Sequence, residues 1–118
     1  MRRTVAPWIV APSRRRRVRF AHRSEARFAR LLDFYRIRWE YEPHTFPLRE
    51  DESGAVREAF TPDFWLPEQG VYVEITVLRQ PLVTRKNRKL RRFRERYPET
   101  PVRMLYRRDL EALAKKYV

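Results

Sequence analysis

The chain contains no cysteine, which excludes disulfides, thiolate nucleophiles and every zinc site that needs a sulfur ligand. It also has no apolar stretch approaching the roughly 20 residues that a membrane span requires. Near the start, Pro7 and Pro12 interrupt a short apolar patch and Arg14-Arg15-Arg16-Arg17 follows it, a pattern unlike a secretory signal, so a cytoplasmic location is expected. No aspartate or glutamate occurs before Glu25, and there is no internal repeat or low-complexity core.

What the chain has in excess is positive charge. Its 118 residues are about one domain's worth, and they carry 28 Lys and Arg against 15 Asp and Glu, a formal net charge of +13. Nucleic acid is the default partner for such a surface. An acidic membrane would instead favour one amphipathic basic helix with an exposed aromatic face. Residues 1–22 read as a basic arm, either a solvated tail or a strap along phosphates, and residues 23–118 as a single domain.

Periodicity outlines that domain. Ser24 is a suitable N-cap for a helix whose stripe is Phe28, Leu31, Leu32 and Tyr35, ending near Arg36. Alternation of Trp39 and Tyr41 predicts a strand from Ile37 to Leu48, bent or placed at an edge by Pro43 and Pro47. A polar turn at Glu50 to Gly54 precedes a second strand, Ala55 to Leu66. A third, Val71 to Leu78, is apolar on both faces and therefore central. Thr84 can cap a long basic helix reaching Tyr97, Val102 to Tyr106 forms a fourth strand, and Asp109 opens a last helix. The fold class is mixed α/β: an α-β-β-β-α-β core, its mixed four-stranded sheet flanked by helices, plus a C-terminal helix.

Three acids stand out against this pattern. Glu74 interrupts an apolar strand, where an unpaired carboxylate costs several kcal/mol or gives up its charge. Asp63 could lie opposite it on the neighbouring strand, although an acid after Pro62 also suits a turn. Two carboxylates that close repel, and a Mg²⁺ ion taking oxygens from Asp63, Glu74 and the Ile75 carbonyl would relieve the conflict, with Mn²⁺ able to substitute. Glu25 shares its helical face with Phe28 and Leu32 and so points toward the sheet, although a first-turn acid is also what the helix dipole favours. Lys86 extends the stripe of Leu90, Phe93 and Tyr97 at the end where an apolar residue would be expected, which aims it at the acids unless it snorkels.

Glu25 on a first helix, Pro62-Asp63 at a second strand and Glu74-Ile75-Thr76 on a third together resemble the PD-(D/E)XK, or restriction-endonuclease-like, nuclease superfamily, over Ser24 to about Tyr106. The resemblance implies metal-dependent hydrolysis of phosphodiester bonds, most simply in DNA. Asp63 and Glu74 match the metal-binding acids, and Glu25 matches the first-helix acid of many members. The departure is Thr76, which stands where the family has a lysine and can carry no charge. Either the lysine has moved to the next helix, as Lys86 with Lys89 in reserve and Gln80 a weaker polar candidate, or the chain is a catalytically inactive nucleic-acid-binding module on the same fold.

The candidate catalytic set is thus Glu25, Asp63, Glu74 and Lys86. Arg14, Arg15, Arg16, Arg17, Arg85, Arg88, Lys89, Arg91 and Arg92 are candidates for phosphate contact. So small a nuclease would need two copies to cut both strands together, which makes a homodimer an expected partner state.

Overall fold

The computed structural model describes residues 18–77 and 80–117, without the side chains of residues 80–83, 116 and 117. Arg14 to Arg17 lie outside the described residues. Among the described residues three helices surround a mixed four-stranded sheet, and a two-stranded hairpin stands beside it. The helices are α1 (Arg23–Phe34), α2 (Gln80–Arg96) and α3 (Arg107–Tyr117). The strands are β1 (Glu40–Tyr41), β2 (Phe46–Glu50), β3 (Val56–Phe60), β4 (Phe64–Leu66), β5 (Val71–Thr76) and β6 (Val102–Tyr106). In the larger sheet the order is β1-β4-β5-β6, antiparallel except for the parallel pair β5-β6.

The expected first and second strands are each divided. Glu42, with φ of 46°, and Pro43 end β1, so the rest of that segment leaves the sheet as β2. Thr61-Pro62-Asp63 breaks the second segment into β3 and β4, since Pro62 has no N–H to donate to a ladder. The halves recombine as a β2-β3 hairpin turning through Asp51, whose Oδ1 accepts from the N–H groups of Ser53 and Ala55, and Gly54, whose φ of 91° suits glycine alone.

The strand predicted to be central is central. Val73 and Ile75 of β5 pack with Phe28, Ala29 and Leu32 of α1 and Leu110 of α3 on one face, around a fully buried Phe64. On the other face Tyr72 packs with Leu90 and Phe93 of α2, Val102 of β6, and Leu48 and Phe60 of the hairpin. Arg96 makes a bidentate pair with Glu50, Arg92 pairs with Glu58, and the Tyr97 hydroxyl donates to the Pro47 carbonyl, so the hairpin is tied along α2.

Two helix starts differ from expectation. α1 is capped by His22 in a capping box with Glu25, so Ser24 is already inside the helix. α2 begins at Gln80, one residue before Pro81 and four before Thr84, because proline is tolerated in a first turn where its missing N–H is not needed. Phe20, within the segment expected to be an arm, stacks on Phe64 with centroids 6.1 Å apart and meets Tyr41 edge-on at 4.7 Å.

Candidate active site

Asp63 and Glu74 meet where β4 enters the sheet. Phe64 pairs with Val73, which sets Asp63 against Glu74 one register step earlier. The Asp63 N–H donates to Glu74 Oε1 at 3.0 Å, and the Ile75 N–H donates to Asp63 Oδ2 at 2.8 Å. The backbone of Asp63 is pinned in turn by its carbonyl, which accepts from the Glu42 N–H at 2.8 Å. The strained φ of Glu42 therefore ends β1 at the point that fixes Asp63. Both acids are buried, 5% and 4% exposed.

Lys86 supplies the counter-charge. From α2 its Nζ lies 2.8 Å from Glu74 Oε2 and donates to the Ile75 carbonyl at 2.7 Å. The helical spacing that aimed Lys86 inward thus describes its actual direction. Burial pushes the Asp63 carboxyl well above the usual aspartate range, and the Glu74 charge pushes it further. Burial raises Glu74 too, opposed by the Lys86 ammonium. Desolvation therefore outweighs the Lys86 charge for both groups.

Glu25 is brought near but is occupied. It is 4% exposed, and its Oε1 accepts from the Ala21 N–H at 3.1 Å, the His22 N–H at 3.3 Å and the Tyr41 hydroxyl at 2.6 Å. Its inward direction is explained by that cap, and its effect on the pair is electrostatic, raising both Asp63 and Glu74. Tyr41 is the residue that sequence reasoning missed here. Its alternation with Trp39 marked a strand, but not that its hydroxyl reaches α1.

A cleft of about 330 Å³ reaches Glu74, with Ala59, Phe60 and Thr61 on one wall and Arg85, Lys86 and Lys89 on the other. Arg85, Arg88, Lys89 and Arg91 make no ion pair among the described residues, whereas Arg92 is held by Glu58. A second cationic row went unread in the sequence: Arg23, Arg27 and Arg30 lie along α1, opposite the Phe28 and Leu32 stripe, also without ion pairs among the described residues. The spacing of four and three was its signal.

Thr76 is 2% exposed, and its hydroxyl has no hydrogen-bond partner among the described residues. It shares the Tyr72 and Glu74 face of β5, as strand alternation requires.

No protein-family model, curated protein or solved structure matches this chain.

The donor set suits a hard cation. Glu74 Oε2 and the Ile75 carbonyl already surround one positive charge, and Asp63 is hydrogen-bonded to the same two residues. Among the described residues no three acid or histidine side chains converge with metal geometry. Two carboxylates and a carbonyl are nevertheless what Mg²⁺ commonly takes from protein, the rest of its shell being water and substrate phosphate.

Proposed function

We propose that this chain is a metal-dependent nuclease that hydrolyses phosphodiester bonds, with DNA its favoured substrate. The observation that carries the proposal is the junction of Asp63, Glu74 and the Ile75 carbonyl, with Lys86 among them, at a cleft walled by further cations. A buried acid pair with raised proton affinity beside a polyanion-binding surface is costly for folding and useful for chemistry. These are the residues on which the PD-(D/E)XK resemblance rests, and α2 carries Lys86, the candidate for its displaced lysine.

Asp63 and Glu74 would hold Mg²⁺ together with the Ile75 carbonyl. When bound, that ion lowers the pKa of a water and offsets charge building on the phosphate. Arg85 and Lys89 would bind the phosphates flanking the scissile bond, and Lys86 would orient the attacking water or neutralise the phosphate oxygens. Glu25 would strengthen cation binding by its field. Arg88, Arg91 and the α1 arginines would hold the backbone without reading its sequence.

Thr76 favours a second reading, a binding module with a defunct centre, because its buried hydroxyl cannot carry the charge of a lysine. Incubating the protein with labelled duplex, single-stranded and branched DNA and with RNA, in Mg²⁺ or EDTA, separates the two. The nuclease gives a product that needs metal and disappears in Asp63→Ala. Binding with no product from any substrate establishes the module instead.

A further inference from the structure

We infer that the Lys86 ammonium fills the cation seat of the metal-free protein, so that a divalent ion enters by displacing it. The inference rests on the metal site proposed above. Lys86 Nζ contacts Ile75 O at 2.7 Å and Glu74 Oε2 at 2.8 Å, two of the three oxygen sources assigned to the metal. An ammonium donates and accepts nothing, so these oxygens are used as a cation uses them. Glu74 has a side chain only 5% exposed, and among the described residues Lys86 is the cation that pairs with it. The tethered charge thus keeps a buried acid pair folded when no ion is present.

The two cations cannot share the seat. Mg²⁺ takes its oxygens at about 2.0–2.1 Å, and an ammonium on the same two oxygens would lie a few ångströms from it where water screens little. Lys86 has somewhere to go: its side chain is 25% exposed and lines the cleft beside Arg85 and Lys89. Metal entry therefore moves a positive charge from the acid pair to the place where a substrate phosphate would sit.

The test is Mn²⁺ binding to the protein without nucleic acid, read by electron paramagnetic resonance of free Mn²⁺, for wild type, Lys86→Met, Lys86→Arg and Glu74→Gln. Lys86→Met is expected to bind on the order of tenfold more tightly than wild type, Lys86→Arg no more tightly, and Glu74→Gln weakly. Equal or weaker binding by Lys86→Met, with wild-type binding still lost in Glu74→Gln, overturns the displacement but keeps the metal site. Tight binding by Lys86→Arg overturns it as well, since charge would not be the cause. No Mn²⁺ bound by any of these proteins at millimolar concentration, alone or with a phosphorothioate duplex, overturns the metal site itself. Acetylation of Lys86 in the wild type, followed by mass spectrometry, needs no variant: saturating Mn²⁺ should accelerate it, and an unchanged rate contradicts the displacement.

Discussion

Asp63→Asn should make the metal-free protein more stable at neutral pH while removing its ability to respond to metal. Burial and the Glu74 charge both raise the Asp63 carboxyl, so over a range above the ordinary aspartate value, near pH 4, the folded state keeps a proton that the unfolded chain has released. Stability from such a group is fully present below its unfolded pKa and is lost as pH rises through its folded one. One retained proton changes stability by about 1.4 kcal/mol per pH unit, so between pH 5 and 7 the loss is at most about 3 kcal/mol. The Ile75 N–H and the Lys86 charge favour the anion, and the net upward direction already includes them, so the loss stands at up to about 3 kcal/mol. In a domain of about 100 residues that is a shift in Tm of up to about 15 °C. The amide accepts more weakly from the Ile75 N–H, which costs about 1 kcal/mol at every pH, so the decisive quantity is the pH dependence. Urea unfolding in EDTA from pH 5 to 8 should show the variant gaining on wild type with each unit, and excess Mg²⁺ should stabilise wild type alone. Parallel pH profiles for the two proteins would refute the reasoning.

Other outcomes follow from the same packing and charge. Burial raises Glu40 to about 7 and leaves its Oε2 without a hydrogen-bond partner among the described residues, so wild type should lose stability from about pH 4.5 to 7, on the order of 2 kcal/mol; Glu40→Gln should flatten that part of the profile. Phe93→Ala empties a fully buried position between α2 and the hairpin and should cost about 3–5 kcal/mol in denaturant unfolding, loosening the helix that carries Lys86. Reversing Arg85, Arg88 and Arg91 to Glu should weaken binding to DNA and reduce the slope of log affinity against log salt by about 0.9 for each phosphate no longer neutralised, measured by fluorescence anisotropy. Arg92→Ala should change that slope less, because Glu58 already holds its guanidinium.

Local signals carried most of the fold and the direction of the main side chains. The apolar run of β5 on either side of Glu74 marked a strand covered on both faces, and the spacing of Leu90, Phe93 and Tyr97 gave the azimuth of Lys86. What went unread depends on distant partners. Ile37 to Leu48 and Ala55 to Leu66 alternate like single strands, and their division follows from the left-handed Glu42 bound to the Asp63 carbonyl and from Pro62 between β3 and β4. His22 replaces Ser24 as the cap because Glu25 folds back on it, a geometry completed by Tyr41 from another strand. Arg92 shares a helical face with Arg85 and Lys89 in the sequence, but the hairpin brings Glu58 to it.

The central claim is that Asp63, Glu74 and the Ile75 carbonyl hold a divalent ion for phosphodiester hydrolysis, and anomalous diffraction from Mn²⁺-loaded crystals with uncleaved DNA tests it most directly. The account predicts a peak within metal–oxygen distance of all three groups and of one phosphate oxygen, with Lys86 moved off the Ile75 carbonyl. DNA bound in the cleft with no peak there, and with Lys86 still on Glu74 and Ile75, would contradict it.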